Sequence, residues 1–338
     1  MVEQLNSPME NQLTDTSWQP TATADSLLRR SEIVWQLRQF FYRRGFAEVH
    51  TPIISHDTVV DLNIEPVRIS GRSLACHGAG SDDLFLQTSP EFAMKRLLAA
   101  GMQSIYSIGP VFRAGERGTN HNPEFTMVEW YRIGDDMAAG VALVDELVRA
   151  VLGGPPAEII TYQHACKTFA NFDPLVATVE ELSRVATSRE LGVEADWTDD
   201  CDTWLDLIFS EVVQPKLGFK VPTIVTNYPA SQSALARLAE SDRRTAERFE
   251  LFVRGVELAN GYHELLDPTE LMSRNEQTEA KRRELGRPSL PVNSRLIQAM
   301  QSGIPACSGC ALGLDRLIMV ATDARAIDEV IAFPIERA

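Results

Sequence analysis

The sequence predicts an α+β domain in which helices flank an antiparallel sheet. Alternating apolar runs Ser104–Phe112 and Phe125–Ile133 read as a long antiparallel hairpin, and Phe249–Val253 and Val256–Leu266 as two more strands. The runs are separated by irregular lengths rather than by evenly spaced crossover helices, which points away from a parallel α/β sheet. The chain has 338 residues, enough for one large domain or two ordinary ones.

Residues 1–25 are polar, rich in Asn, Gln, Ser, Thr and Pro, and read as a flexible tail ahead of a domain over 26–338. Asp25 or Ser26 can cap a helix whose face carries Ile33, Val34, Leu37, Phe40 and Phe41 and which Gly45 ends. Phe46–Val49 is extended and closed by Thr51-Pro52, and short β-type runs follow at Pro66–Ile69 and Leu84–Leu86. Pro90 suits the first position of a helix carrying Phe92, Met94, Leu97 and Leu98. Residues 136–152 and 178–218 read as helical, Thr223–Tyr228 as a strand and 269–285 as a charged helix. Ala311–Val320 opens with glycine and continues as an apolar helix.

Hydrophobic residues make up 44% and charged residues 23%, a globular composition that excludes wholesale disorder and fibrous architecture. The longest uncharged apolar stretches, such as Ile304–Leu314, fall far short of the ~18 residues of a membrane helix. The N-terminus lacks the basic and apolar regions of a secretory signal. The five scattered cysteines are expected to be reduced thiols in a cytoplasmic protein. Cys307 and Cys310 resemble half a zinc site, but Cys76, His77 and Cys166 make no second pair. A net charge of −15 argues against stable nucleic-acid binding, leaving a small molecule or a protein with a basic surface as partner. Lys281, Arg282, Arg283 and Arg287 read as a solvated helix face.

Three segments carry chemistry. The first is Arg113–Tyr131. Its hairpin puts Arg113 at the end of one strand, His121 and Asn122 on the return of the loop, and Phe125, Glu129 and Tyr131 on one face of the next strand. A cationic fork, polar donors and an aromatic plate suit a nucleoside triphosphate. The second is Glu250, Glu257 and Glu264, seven residues apart in apolar, glycine-containing surroundings. Such carboxylates hold a hard cation or receive an organic one; Mg²⁺ takes one or two of them plus substrate phosphates. The third is SGCALGLDRL, 308–317, where Gly309 and Gly313 allow close approach and Arg316 lies in the first turn of a helix.

Together these segments resemble the class II aminoacyl-tRNA synthetases over about residues 26–337. Gly45–Pro52 is similar to their first signature, at the dimer interface; the stretch ending in Tyr131 and the one ending in Leu317 are similar to the second and third. HNPEFT and NGYHEL resemble the lysine-specific branch and, more closely, its free-standing ligases that modify a lysine of elongation factor P. Those ligases lack the anticodon-binding OB-fold, which needs on the order of 100 residues, and only 25 residues precede Ser26 here. The resemblance implies a class II synthetase-like catalytic domain without an anticodon-binding domain, working as a homodimer with ATP and Mg²⁺. Arg113 and Arg316 would be catalytic, on the α- and γ-phosphates. Ala114, Gly115, Glu116, Leu258 and Gly313 would line the ATP site, with His121 and Asn122 near the phosphates and Phe125 on adenine. Glu250 and Glu257 would hold the metal. Ser89, Pro90 and Glu91 would form the amino-acid loop, Glu91 taking the backbone-side amine, while Glu264 with Tyr131 would take the ε-ammonium. Two positions depart from the family: Ala114-Gly115 replaces its usual Asn-Glu, leaving Glu116 to reach adenine, and Ala311 stands at a usual glycine. The resemblance associates that alanine with a preference for β-lysine.

The expected reaction has two steps: adenylation of lysine or β-lysine, then transfer to a lysine side chain of elongation factor P. A truncated synthetase acting on tRNA and a non-catalytic lysine or nucleotide binder remain as alternatives.

Overall fold

Thr23, rather than Asp25 or Ser26, caps the first helix, accepting from the Ser26 amide at 3.1 Å. The structure, a computed structural model, describes residues 18–74 and 83–338. Most of the expected tail, with Cys76 and His77, therefore lies outside the described residues. Order begins before Ser26 all the same, since Thr21 N donates to Ala332 O at 3.0 Å.

In chain order the elements are α1 (Ala24–Arg43), β1 (Ala47–Glu48), β2 (Ile54–Ser55), β3 (Arg68–Ser70), β4 (Asp83–Leu86), α2 (Glu91–Ala99), β5 (Ser104–Phe112), β6 (Glu124–Ile133), α3 (Met137–Leu152), β7 (Glu158–Thr161) and α4 (Tyr162–Phe169). Next come α5 (Val179–Ser188), α6 (Cys201–Ile208), β8 (Thr223–Pro229), β9 (Thr245–Val253), β10 (Val256–His263), α7 (Pro268–Glu284), α8 (Arg295–Ser302), β11 (Cys307–Gly313) and α9 (Leu314–Thr322).

The main sheet has eight strands in the order β1-β5-β6-β11-β10-β9-β8-β7. Its six inner strands are antiparallel; β1 and β7 add parallel at the two edges. A smaller sheet, β2-β4-β3, stands apart. The architecture is the expected α+β one.

The stretch expected as one helix over 178–218 is broken. Glu190 and Gly192 take positive φ, and a second N-cap, Asp200, starts α6. β7, α4 and α8 have only four to eight residues, too few for a period to stand out. Ala311 belongs to β11, which runs from Cys307 to Gly313 before α9 begins at Leu314.

Alternation decides which side of the sheet carries chemistry. Val128, Trp130, Cys310 and Leu312 point into the main core with Leu37, Phe41, Val144 and Leu317 from α1, α3 and α9. Residues of opposite parity, Phe125, Met127, Glu129 and Tyr131 on β6 and Gly309, Ala311 and Gly313 on β11, line a cleft on the other face. Cys307 and Cys310, three apart on one strand, join different core clusters, so they form no zinc pair.

The charged helix α7 is not simply solvated. Arg282 is fully buried, donating to Asp61 O and to Glu65 Oε2 at 2.6 Å, and Arg287 donates to Leu62 O. These bonds fix the 61–65 loop, from which Asp61 and Ile64 wall the cleft.

Candidate active site

The cleft has a volume of about 310 Å³, floored by β6, β11 and β10. On β10 a bulge between Glu257 and Ala259 changes the parity of the strand. Glu257 therefore faces the cleft together with Asn260, Tyr262 and Glu264, although residues seven apart on a regular strand face opposite ways.

At one end, Arg113 lies over the Phe125 ring, 5.1 Å from its centroid. Its Nε is buried without a hydrogen-bond partner, and its guanidinium stands 3.8 Å from Glu116. Ala114 N donates to Glu65 O, and Gly115, at φ +79°, turns the chain where a side chain would strain. Arg316, in the first turn of α9, donates to His121 Nε2 at 2.5 Å and to Glu257 O at 3.0 Å, and stands 3.5 Å from the Glu257 carboxylate. Burial first, and Arg316 second, hold the His121 pKa below its usual value, so the ring accepts as neutral imidazole. A Cβ on Gly313 would meet only Arg316, at 3.7 Å, so the backbone there is open to a ligand.

Asn122 lines the cleft beside His121 and is also tied to the backbone. Its amide donates to Glu124 O at 2.6 Å and accepts from Ile335 N at 3.1 Å, tying the hairpin loop to the C-terminal segment. Arg117, paired with Asp328 and Glu336, and the Ile327 N–H to Thr119 O bond make the same tie.

The other end is a buried acidic chamber. Pro90 is the N-cap of α2, so Glu91 enters the first turn. Glu91 pairs with Lys95 one turn on, at 2.6 Å, and Lys95 also pairs with Glu264. Glu129 accepts from Tyr131 at 2.6 Å and from Ser89 at 2.7 Å. Tyr131, expected to serve the ammonium beside Glu264, thus spends its proton on Glu129. Burial pushes Glu129 up to about 7, with Glu91 adding to it. Burial also pushes Glu264 up to about 8, because the neighbouring Glu91 and Glu129 oppose the help it gets from Lys95. Lys95 itself faces two carboxylates and is held above its usual range despite burial, so it stays charged. Glu264 Oε2 is the oxygen paired with Lys95, while Glu264 Oε1 and Asn260 Oδ1 are buried without a partner. A Cβ on Gly309 would overlap the Tyr131 ring and crowd Glu264 Oε1. Glycine is therefore what leaves room between ring and carboxylate.

Sequence reasoning gave Glu129, Lys95 and Asn260 no role. The signals exist for two of them: Glu129 shares the strand parity of Tyr131, and Lys95 is four residues from Glu91 on a helix. Asn260 depends on the bulge.

The two expected metal ligands are unlike. Glu257 lines the cleft; Glu250 lies on the neighbouring strand, opposite Asn260, bonded to Tyr228 at 2.6 Å and paired with Arg248. Burial, then Glu257, pushes Glu250 up. A hard-oxygen donor set suits Mg²⁺ carrying a substrate's phosphates, with Glu257 the accessible ligand. Among the described residues no group of three His, Cys, Asp or Glu forms a metal cage.

A family model of the class II tRNA synthetases (D, K and N) matches residues 8–337. The chain belongs to this family. Its class II domain supports an ATP-dependent ligase that activates an amino acid, and ATP with Mg²⁺ is the family's general requirement. Within this synthetase domain, the arginine-and-ring end of the cleft matches triphosphate chemistry and the acidic chamber matches a cationic amino acid. Among the described residues no helix is long and apolar enough to cross a membrane.

Proposed function

We propose that the protein activates lysine or (R)-β-lysine with ATP and transfers it to a lysine side chain of elongation factor P. The observation that carries the substrate class is the Glu264 carboxylate: Oε2 pairs with Lys95, but Oε1 is buried without a partner in the same cleft as Arg113. A buried carboxylate oxygen in that state, beside Glu91 and Glu129 and with Lys95 shared among them, calls for a further donor, and an amino acid with a side-chain ammonium supplies one.

In the first step a carboxylate oxygen of the amino acid attacks the α-phosphorus of ATP and pyrophosphate leaves. Arg113 holds the reacting carboxylate and α-phosphate, Phe125 stacks on adenine with Glu116 at its edge, and Arg316 with His121 holds the far phosphates. Glu257, with Glu250 behind it, would hold Mg²⁺, which supplies neutralising charge to the triphosphate. The protein contributes position and charge rather than covalent chemistry. In the second step the ε-nitrogen of the acceptor lysine attacks the activated carbonyl, an amide forms and AMP leaves. The attacking amine loses a proton, and the adenylate phosphate oxygens are an acceptor the substrate itself brings.

Net charge favours a protein acceptor: at −15 the chain is poorly suited to the polyanionic surface of a tRNA. Ala311, on the cleft face of β11, narrows the amino-acid site by one methyl, a difference worth about 1–3 kcal/mol between close substrates and the basis for favouring β-lysine. A homodimer through α1 is supported by Leu28, Trp35 and Tyr42, which repeat every seven residues and are each more than 60% exposed. Among the described residues four cysteines are free, which fits a reducing cytoplasm.

The test is mass spectrometry of elongation factor P after incubation with the protein, ATP and each lysine isomer, beside a parallel incubation of labelled lysine with total tRNA. A mass increase of one lysyl group on elongation factor P supports the reading; label on tRNA alone overturns it.

A further inference from the structure

Lys95 lies behind the cleft rather than in it. Its side chain is 3% exposed and its ammonium bridges Glu91 on its own helix and Glu264 at the end of β10. Three carboxylates, Glu91, Glu129 and Glu264, converge in this buried chamber, and Lys95 is the cation they face. That leaves more carboxylates than cations in a region where unpaired charge is costly. One ammonium shared by two carboxylates also holds them within about two hydrogen-bond lengths, roughly 5–6 Å, of each other. Tyr131 closes a third side, its ring 5.9 Å from the Lys95 nitrogen.

We infer that Lys95 is a specificity-determining positioning residue: by bridging Glu91 and Glu264 it fixes how far apart the substrate's two ammonium groups must be. This rests on the reading of the chamber as the amino-acid site, and it adds the rule by which the site measures length. The bridge pins one oxygen of each carboxylate. The remaining charge of the chamber then suits a diamino acid whose two nitrogens are set a fixed number of methylenes apart. A longer or shorter diamino acid can engage one carboxylate only by breaking the bridge. Without the bridge the carboxylates swing independently, and the chamber still attracts cations but no longer measures them.

The test compares lysine with ornithine, one methylene shorter, in ATP–pyrophosphate exchange by the wild type, Lys95→Arg and Lys95→Met. The wild-type arm, run also with β-lysine, examines the amino-acid site itself: no exchange with any of the three diamino acids would sink the reading of the chamber, independently of Lys95. Lysine sets its nitrogens five carbons apart, ornithine and β-lysine four; given exchange, the wild type should prefer one of the two spacings by about 10–200-fold in kcat/KM, the usual worth of one methylene. Lys95→Arg keeps the charge but moves the nitrogens, and should bring the ratio to within about threefold of parity, a small residue of that discrimination, with KM for ATP unchanged. Lys95→Met should do the same and, in addition, regain discrimination when ethylammonium is supplied. If Lys95→Met does not fold, Lys95→Arg decides alone. A lysine-to-ornithine ratio that stays at the wild-type value in a folded variant, or one that moves together with KM for ATP, overturns the inference.

Discussion

The Arg113 guanidinium rests on the Phe125 ring, 5.1 Å from its centroid, so the cation and the aromatic plate that a nucleotide needs are already in contact. Each holds the other in place: the ring limits where the guanidinium can go, and Arg113 Nε, buried without a partner, has no competing bond to give up. Replacing Arg113 by Ala is expected to slow ATP–pyrophosphate exchange by at least ~100-fold, about 3 kcal/mol, the worth of one preorganised donor to a developing charge. Intact exchange in Arg113→Ala would remove it from the reaction.

Glu264→Gln should raise KM for lysine far more than KM for ATP. The change keeps the shape of the side chain but removes the charge that receives an ammonium, and it touches nothing at the Arg113 end of the cleft. Steady-state exchange with each substrate varied in turn reads this directly, and equal effects on the two KM values would count against the role.

The acidic chamber gives the ligand-free protein a pH signature. Folding raises the carboxyl groups of Glu129 to about 7 and Glu264 to about 8, mainly through burial. A raised pKa means the folded state binds the proton more tightly than the unfolded chain. Its stabilising contribution is full below the usual carboxylate value and is lost as pH rises through about 7–8. Thermal unfolding should therefore show stability falling over that window, less steeply in Glu264→Gln. Added lysine should restore more stability at the alkaline end than at the acid end, because its ammonium replaces the lost protons. A pH-independent lysine shift in melting temperature would contradict the assignment.

Gly309→Ala is expected to damage the amino-acid end alone. The new methyl would overlap the Tyr131 ring and crowd Glu264 Oε1, and overpacking of this kind costs about 1–3 kcal/mol. The measurement is the lysine KM against the ATP KM, with chemical denaturation to record the loss of stability. A variant with unchanged lysine KM would mean the space above Gly309 is not used by substrate.

Asp315 fastens α9, and with it Arg316, to the rest of the site. It is buried, pairs with Arg30 of α1 and accepts from Thr126 N at 2.7 Å. Asp315→Ala strands a guanidinium and a backbone N–H, and should cost about 3 kcal/mol in urea denaturation, the lower end for breaking a buried pair. A loss below about 1 kcal/mol, the level of an exposed pair, would show that Arg30 finds water instead.

The hairpin bearing Arg113 and Phe125, the facing of Tyr131 and Glu129, and the helix start just before Arg316 were all legible in the sequence, although the strand that leads into that helix was not. Each depends on local rules: alternation along a strand, turn residues between strands, and glycine ahead of a helix. The three glutamates at intervals of seven were legible as residues but not as a group, because regular alternation would separate Glu257 from Glu264. The bulge at Glu257/Ala259 brings them to one face, and nothing in the residue types announces it. Arg282 illustrates the same limit: its sequence context is a run of charge, and only packing against the 61–65 loop buries it. By itself the sequence determined the fold class, the two hairpin arms and the chemical vocabulary of the cleft, since these follow from short-range periodicity. Tertiary structure alone decided that Asn122 serves the backbone, that Lys95 spans Glu91 and Glu264, and that Glu257 rather than Glu250 reaches the open cleft. The physical reason is that a partner's identity and a group's burial depend on residues distant in sequence, which local pattern does not encode.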